Sequence, residues 1–523
     1  MSAPDRVRDV YPVDFRTPAL FARSTAARDF PAARRAATVS LLRQQAERWG
    51  FLDASRASLD RLAREDALAV VAGQQPGLFG GPLYTVYKAL TAIAVARETE
   101  RAAGRPVVPI FWIAADDHDF EEMRRAYLSD GAPDPGVLEY PLDAVPRGAS
   151  VARVPLGAPI EDLLRSVEAS LPPSEFRAEA MARLRGAYVP GRGWADAFAR
   201  LTGAWVVPYG GLVFDPTDAE AKRLALPVFE REIDLGARSS QVASERGADL
   251  ESRGYHAQIA RSGDEINLFW HGERREALRL TGNGTFRLAE SGRTLARAEL
   301  LAMVRERPQD ASPGVLLRPL TQDYLFPTAA YVGGPSEVAY WAQVNALYPL
   351  FEMPPPAVVP RAGATILESK IRKLLDRFGL MWTSLAGDPE VVIRESLKRL
   401  LPEELPSLLE AERGEWLRSF GRIEAAVSAF DPSLQGAIKT ATGRVLHEGE
   451  NLERKLMQVW KRRQEESVQQ IRRARGHLFP RGALQERSIS ILGYLARYGG
   501  GVLGELHRRV GEPGSHVLVE LTG

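Results

Sequence analysis

Two patterns of hydrophobic positions divide the chain. Up to about residue 388, short continuous apolar runs alternate with amphipathic stretches, and the clearest example is Val70–Thr91. There an apolar run, Leu68–Ala72, precedes a glycine-rich turn and then a helical pattern. A second apolar run, Arg105–Ala115, follows that helix, and such runs are typical of buried parallel strands. The two runs and the helix between them predict a βαβ unit in an α/β fold with a parallel-sheet core.

Later stretches of the same region predict further elements. Trp205–Asp215 reads as another strand, Val358–Arg361 as the strand that closes the sheet, and Ala364–Phe378 as a helix. The region from Tyr255 to Leu288 alternates like strands around the turn Gly282–Gly284, which predicts a hairpin in a small β insertion. We place insertions at about 133–195 and about 240–310.

Beyond residue 388 the apolar positions repeat at intervals of three and four, which is the spacing of a coiled coil. The repeat includes Trp416, Phe420, Ile423, Val427, Phe430 and Leu434, and it continues toward Val459. Asp431-Pro432 interrupts it as a helix cap followed by a first-turn proline, so the chain is expected to fold back there. The sequence therefore predicts a core over 1–388 and an α-helical coiled-coil domain over 389–523.

Composition narrows the functional classes. The chain has 523 residues, 45% of them hydrophobic and 26% charged, with a formal net charge of +1 and no cysteine. The near-neutral charge gives no general attraction to nucleic acid or to an anionic membrane. Disulfides and a cysteine nucleophile are excluded. No apolar run has the length of a signal peptide or a membrane helix, so we expect a cytoplasmic protein.

The turn after the first strand is the first candidate site. Gln74 and Gln75 offer uncharged donors and acceptors beside Gly73. Gly80 and Gly81 come just before Pro82, and this step predicts a helix start whose N–H groups face a ligand.

The helix that follows this turn adds a cation. Lys88 shares one helix face with Tyr84 and can reach back over the turn toward a bound anion. The alternative is a tight connection between strand and helix with a solvated lysine.

The second candidate site follows the second apolar run. Asp116, Asp117 and His118 come where a parallel strand ends, which is where α/β proteins bind ligands. His118 could act as a general base held by a carboxylate, or the carboxylates could bind a hard cation such as Mg²⁺. Asp119 and Glu122 also fit a capping box for a helix that runs to Leu128.

A third candidate lies in an apolar stretch near residue 320. Arg318, Gln322 and Asp323 form a polar group there, which indicates either a structural Arg318–Asp323 ion pair or contact with a substrate. A second Gly-Gly-Pro helix start follows it. Because Glu337 lies in the first turn of that helix, we expect an amine or hydroxyl ligand rather than phosphate. The candidates at this start are Gly333, Gly334, Ser336, Glu337 and Tyr340.

Common cofactor motifs are absent from the sequence. It contains neither G-x-G-x-x-G nor a P-loop nor H-E-x-x-H, so dinucleotide, P-loop and zinc-protease interpretations lose their usual support. A basic run near the end of the coiled coil could hold a phosphate ligand, although such runs are more often a solvated face.

Four long motifs resemble those of BshC, the cysteine ligase family of bacillithiol biosynthesis. They are AGQQPGLFGGPLYTVYKAL, PVVPIFWIAADDHDFEE, LLRPLTQDYLFPTAAYVGGPSEVAYWAQ and HLFPRGALQER, in the family's order. The resemblance implies a Rossmann-like core with two connecting-peptide insertions and a C-terminal coiled coil that mediates homodimerisation. It also implies the last step of bacillithiol synthesis, in which L-cysteine is joined to glucosaminyl-malate through an amide.

The resemblance extends to cosubstrates only in part. In related nucleotidyl-transfer enzymes a turn equivalent to Gly73–Gly77 holds ATP, but their paired histidines are missing here. The activating cosubstrate, ATP or another, therefore stays open, and no firmly bound metal is expected. A nucleotide site at the coiled coil is associated with the family, and we assign it to Arg472, Arg473 and Arg475.

These observations lead to one hypothesis and two alternatives. In the ligase hypothesis, the glutamine turn and Lys88 bind the activated or anionic group, and Asp116, Asp117 and His118 orient the amine and take its proton. Gln322, Asp323 and the second Gly-Gly-Pro turn hold polar substrate groups. The alternatives are a metal-dependent hydrolase or deacetylase built on Asp116–Asp119, and a non-enzymatic coiled-coil scaffold.

Overall fold

The computed structural model describes residues 7–19, 22, 30–129, 135–145, 148–260, 262–272, 274–402 and 404–521. Its strands, in chain order, are β1 (Leu68–Gln74), β2 (Val107–Ile113), β3 (Arg125–Leu128), β4 (Gly136–Glu139), β5 (Leu212–Phe214), β6 (Glu265–His271), β7 (Arg275–Leu280), β8 (Phe286–Leu288), β9 (Thr294–Leu295), β10 (Ala311–Pro313), β11 (Thr328–Gly333), β12 (Ala357–Pro360), β13 (Gly363–Glu368) and β14 (His516–Leu521).

The helices of the same ranges, in chain order, are α1 (Ala32–Trp49), α2 (Leu52–Leu62), α3 (Leu83–Ala103), α4 (Phe120–Met123), α5 (Pro159–Ser170), α6 (Arg177–Ala187), α7 (Trp194–Val206), α8 (Ala219–Leu224), α9 (Leu226–Leu235), α10 (Arg238–Ser252), α11 (Arg297–Glu306), α12 (Leu317–Leu325), α13 (Pro335–Val344), α14 (Ser369–Phe378), α15 (Pro389–Lys398), α16 (Glu404–Phe430), α17 (Gln435–Arg463), α18 (Glu465–Leu478), α19 (Leu492–Tyr498) and α20 (Gly501–Arg509). Among these described helices, none combines the length and the apolar character needed to cross a bilayer.

The chain forms two compact units. The first contains the described residues of 1–130, 136–365 and 486–519, and the second contains those of 131–135, 366–485 and 520–523. The domain boundary near residue 388 stays a prediction.

A parallel sheet forms the core of the first unit. Its described strands run in the order β12-β11-β1-β2-β5, and every neighbouring pair is parallel. The predicted first strand is thus the central one, and α3 is the crossover from β1 to β2. The chain moves outward from β1 to β2 and β5 on one side, whereas β11 and β12 lie on the other. Such a reversal of strand order opens a crevice at the carboxyl ends of the strands.

Two predicted strand and helix boundaries change. In Trp205–Asp215 the first residues complete α7, and only Leu212–Phe214 is strand. A continuous apolar run cannot distinguish a buried helix end from a strand, and Trp205 is buried. The predicted helix over Ala364–Phe378 begins only at Ser369, because β13 takes the preceding residues.

The predicted β insertion is present as an antiparallel sheet. Its described strands run in the order β10-β6-β7-β8-β9. β7 and β8 form a hairpin around the predicted turn, where Gly284 has a φ of +79°. This confirms the predicted hairpin and places one end of β7 near the carboxyl edge of the parallel sheet.

The second unit contains a long helical hairpin, α16 followed by α17. The Asp431 side chain accepts a hydrogen bond from the Ser433 N–H at 2.8 Å, and a 3₁₀ turn begins at Pro432. Arg413 on α16 forms an ion pair with Glu450 on α17 at 3.7 Å. The two helices are therefore antiparallel, and the predicted reversal of the chain at Asp431 is confirmed.

Candidate functional site

A cavity of about 480 Å³ lies at the carboxyl ends of the parallel strands. Turns after β1, β2, β11 and β12 form its walls, so it occupies the crevice where the strand order reverses. It brings together most of the candidate residues from the three separate sequence regions. These are Gly73, Gln74, Gln75, Tyr84, Lys88, Asp116, Asp117, Arg318, Gly334, Ser336, Glu337 and Tyr340.

Lys88 is buried and connects two walls of the cavity. Its ammonium donates to the backbone oxygen of Gly73 at 2.9 Å and to Gln74 Oε1 at 2.8 Å, and it forms an ion pair with Glu337. An ammonium has three hydrogens to donate, and these partners use all of them. In this structure the lysine therefore links the ends of β1 and α13, and its predicted contact with a bound anion stays a prediction.

Glu337 occupies the helix start that the second Gly-Gly-Pro step provides. Its Oε2 accepts from the Gly334 N–H at 2.8 Å and its Oε1 accepts from the Tyr331 hydroxyl at 2.5 Å. Burial acts to raise the pKa of Glu337, but Lys88 and these hydrogen bonds outweigh it and hold the pKa below its ordinary value. The first turn of α13 thus carries its own anion, as the position of Glu337 predicts.

Asp116 faces the cavity as one half of an ion pair. The Nζ of Lys222, a buried residue of α8, lies 2.6 Å from Asp116 Oδ1 and 2.8 Å from Oδ2. Burial lowers the pKa of Lys222, and Asp116 opposes that shift. Because one ammonium engages both carboxylate oxygens, this pairing disfavours Asp116 as a ligand for a metal ion.

Asp117 is held by its neighbours as an ionised carboxylate. Gln75 Nε2 donates to Asp117 Oδ2 at 2.7 Å, and the His118 N–H donates to Oδ1 at 2.7 Å. Burial acts to raise the pKa of Asp117, but the contacts with His118, Arg275 and Gln75 lower it overall. Gln75, in the turn after β1, therefore fixes the carboxylate of Asp117, which follows β2.

His118 lies outside the cavity wall and is exposed. Its Nδ1 lies 3.3 Å from Nη1 of Arg275, which can only donate, and 3.5 Å from Asp117 Oδ1. Its Nδ1 therefore faces a donor, Arg275, and an acceptor, Asp117.

The polar group near residue 320 divides between the cavity and the core. Arg318 lines the cavity and donates to Gln322 Oε1 at 3.1 Å and to the Tyr340 hydroxyl at 3.3 Å. Asp323 is buried and accepts from Gln322 Nε2 at 2.9 Å and from the Tyr348 hydroxyl at 2.6 Å. Among the described residues the Arg318–Asp323 ion pair does not form, and Gln322 and Asp323 lie behind the wall rather than in it.

The first Gly-Gly-Pro step also differs from its predicted role. Gly80 and Gly81 have φ of +89° and +71°, which accounts for the glycines. A Cβ at Gly80 would lie 2.3 Å from the Trp205 ring, so that ring fills the space expected for a ligand. At the helix start, the Leu83 N–H donates to the Ile489 oxygen at 2.8 Å. Gly333 likewise serves backbone packing, because a Cβ there would lie 3.1 Å from that of Glu337.

Four charged residues of the cavity wall were not candidates from the sequence: Glu122, Arg275, Arg361 and Arg487. The sequence assigns Glu122 to a capping box, and the Asp119 side chain does accept a hydrogen bond from the Glu122 N–H at 3.3 Å. However, α4 ends at Met123 rather than near Leu128, because the next residues pair as β3 with β4. Burial, Asp119 and Asp117 raise the pKa of Glu122.

The sequence marks the three arginines of this wall, Arg275, Arg361 and Arg487, to different degrees. Arg487 is the last residue of the fourth motif, and Arg361 is the last residue of the predicted strand Val358–Arg361, so these positions could have identified both arginines. Arg361 forms a two-pronged ion pair with Glu486 at 2.7 and 3.1 Å. Arg275 stacks over the Phe269 ring at 3.7 Å, and nothing in the alternating pattern of β7 marks it.

A second cavity of about 400 Å³ lies in the helical unit, and four cationic side chains contribute to its wall: Lys370, Lys373, Arg377 and Arg473. Of the three arginines assigned to a nucleotide, Arg473 lies there. Arg472 forms an ion pair with Glu390 at 3.1 Å, and Arg475 lies outside the wall.

Comparisons with known proteins agree with this architecture. The family model described as "Bacillithiol biosynthesis BshC, N-terminal Rossmann-like domain" matches residues 1–362, and that described as "Bacillithiol biosynthesis BshC, C-terminal coiled-coil domain" matches residues 364–518. These matches and the parallel sheet confirm the predicted Rossmann-like core and C-terminal coiled coil.

Curated relatives match over nearly the whole chain. A protein of Salinibacter ruber named "Putative cysteine ligase BshC" is 36% identical over 510 residues, covering 96% of this chain and 91% of the relative. Proteins of the same name from Chlorobaculum tepidum and Solibacter usitatus are 31% and 33% identical, covering 98% and 95% of this chain and 93% and 91% of the relatives. The chain belongs to the BshC family.

Proposed function

We propose that the first unit catalyses the last step of bacillithiol synthesis, amide formation between the carboxyl of L-cysteine and the amine of glucosaminyl-malate. The single observation that carries the proposal is the cavity at the strand ends, which combines fixed cations with carboxylates in a chain related to cysteine ligases. L-cysteine is a zwitterion, and glucosaminyl-malate carries both an amine and carboxylates, so each substrate needs cationic and anionic partners. The cavity has cationic and anionic side chains, and they lie on both sides of β1.

The amine is proposed to bind on the β2 side, against Asp117 and Glu122. Asp117 stays ionised because its pKa is lowered, so it attracts an ammonium group. Glu122 has a raised pKa and is therefore the better acceptor for the proton that the amine must lose before it attacks. His118, at the rim, is the competing acceptor.

The decisive experiment supplies the purified protein with L-cysteine and glucosaminyl-malate under three conditions: with ATP, without ATP, and with cell extract. Mass detection of the amide product and of any AMP or ADP identifies the activating route. Glu122→Gln should reduce product formation more than His118→Ala if Glu122 accepts the proton. Full product formation by Glu122→Gln would return that role to His118.

We also propose that the protein is a homodimer joined through the coiled-coil domain. Exposed apolar side chains seven residues apart support it, namely Ile423 and Phe430 on α16 and Leu452 and Val459 on α17. Each pair lies on one helix face. Light scattering should give a dimer for the wild type and a monomer for Ile423→Asp/Val459→Asp.

The second cavity is proposed as the nucleotide site near the coiled coil. Its four cationic side chains suit the phosphates of a nucleotide. Arg473→Gln should weaken ADP binding in calorimetry, whereas Arg472→Gln, which removes a residue already paired with Glu390, should not. A cytoplasmic location stays a prediction.

A further inference from the structure

One arginine of the strand-end cavity, Arg318, differs from the cations around it. Lys88 is neutralised by Glu337, Lys222 by Asp116, and Arg361 by Glu486. The partners of Arg318 are neutral: its guanidinium donates to an amide oxygen and to a tyrosine hydroxyl. No described carboxylate forms an ion pair with it.

The surroundings of Arg318 keep it charged: burial acts to lower its pKa, but Tyr331, Tyr340 and Glu337 outweigh burial and raise the pKa. The side chain is half-buried, and the guanidinium lies 5.2 Å from the centre of the Tyr331 ring. An arginine in a protein does not deprotonate, so it cannot escape the cost of desolvation by becoming neutral. Its hydrogen-bond partners are neutral oxygens and no described carboxylate forms an ion pair with it, so an anion that enters the cavity would supply that partner.

The position of Arg318 in the fold indicates which end of a substrate it contacts. Its contacts with Tyr331 and Tyr340 place it on the β11 side of the cavity, whereas Asp117 follows β2. β1 lies between these two strands. A substrate that spans the cavity with its amine toward β2 therefore directs its other end toward Arg318.

We propose that Arg318 binds a carboxylate of the amine-bearing substrate and thereby fixes the direction in which that substrate lies across β1. The inference rests on the proposed function for the identity of the substrate. The cysteine carboxyl loses its charge when the amide forms, whereas the carboxylates of a malyl group keep theirs throughout. A permanently charged guanidinium, which can bind a carboxylate through two parallel N–H bonds, matches the group whose charge does not change.

Calorimetry with L-malate as the probe tests the subsite in the full-length protein. Arg318→Gln should weaken malate binding about 10- to 100-fold, the loss expected for a charge-assisted two-pronged contact. Arg318→Lys, which keeps the charge but loses the fork, should bind with intermediate affinity. The diamide of malate, which has no charge, should bind the wild type and Arg318→Gln equally weakly.

The matched control is Arg487→Gln, because Arg487 lines the same cavity but is exposed. Unchanged malate binding in Arg318→Gln, or a larger loss in Arg487→Gln, would overturn the inference. The intermediate affinity of Arg318→Lys excludes a simple folding defect as the cause of the loss.

Failure of the proposed function would be distinguishable. If the wild type forms no cysteine amide under any condition but still binds malate more tightly than Arg318→Gln does, the carboxylate subsite stands and the ligase assignment falls. If the amide forms and Arg318→Gln retains the wild-type KM for glucosaminyl-malate, the ligase assignment stands and the subsite falls.

Discussion

The buried pair of Lys88 and Glu337 allows a quantitative prediction. Lys88→Met removes the cation and keeps a side chain about as long as the apolar stem of lysine. Glu337 then retains two donors, Tyr331 and Gly334, but loses its charge partner in a site where 21% of its side chain is exposed. Breaking a fully buried pair costs about 3–5 kcal/mol. The remaining donors and the partial exposure reduce the expected cost to about 2–3 kcal/mol.

The cost should depend on pH in a defined direction. In the wild type the pKa of Glu337 is lowered, so the pairing stabilises the fold above the unfolded pKa of about 4.3 and is lost as the pH falls through the folded pKa. Without Lys88 that folded pKa rises, so the carboxyl takes up a proton on mild acidification. The penalty should therefore be largest near neutral pH and should shrink toward about pH 5.

Hydrogen exchange measured by mass spectrometry is the suitable assay, because it reports opening of separate parts of a two-unit protein. Peptides from α3 and α13 should exchange about 30- to 160-fold faster in Lys88→Met, the equivalent of 2–3 kcal/mol. Peptides from α17 serve as the internal control and should not change. Adding Glu337→Gln should restore most of the protection. The reasoning would be refuted if protection fell equally near neutral pH and near pH 5, or if the double variant recovered no protection.

Two further predictions concern packing and charge. Gly80→Ala should lower the melting temperature by about 5 °C or more, because residue 80 has a φ of +89° and the new Cβ would meet the Trp205 ring. The control is Gly186→Ala on α6, where a Cβ meets open space, so the melting temperature should be unchanged or raised. Asp116→Asn leaves Lys222 buried without its counter-charge, so the folded pKa of Lys222 falls further. Melting curves of that variant should show its stability recovering as the pH rises from about 7 to about 9, since the unfolded chain then binds more protons than the folded one.

The local chemistry of strand ends was predictable from the sequence. Apolar runs that stop at polar residues identified the ends of β1 and β2, and the carboxyl edge of a parallel sheet necessarily brings such ends together. In the structure these ends bring Gln75 and Asp117 into one cavity although 42 positions separate them, and the two side chains form a hydrogen bond. The hairpin at Gly284 and the chain reversal at Asp431 were predictable for the same reason, because short-range rules determine both.

Partners across long distances were not predictable. The sequence indicates a free Lys88, because helix periodicity predicts the face on which a side chain lies but not its tertiary partner. That partner, Glu337, is distant in the sequence. Nothing in the sequence marks Lys222 as a partner of Asp116, yet it is buried against that carboxylate. Gly80 required a backbone conformation that the sequence did suggest, but the ring that fills the space comes from α7. In each case the missing information was the tertiary packing.

The small antiparallel sheet has a consequence for how this scaffold can diversify. It supplies Arg275 and Phe269 to the cavity, while the parallel strands supply the groups that orient the proposed amine. Substitutions in β6 and β7 can therefore reshape one wall of the cavity and alter which ligands it admits without disturbing the central strands. The antiparallel sheet thus influences ligand selectivity, whereas the parallel sheet provides the stable core. The antiparallel sheet is therefore the part most open to evolutionary and engineered change.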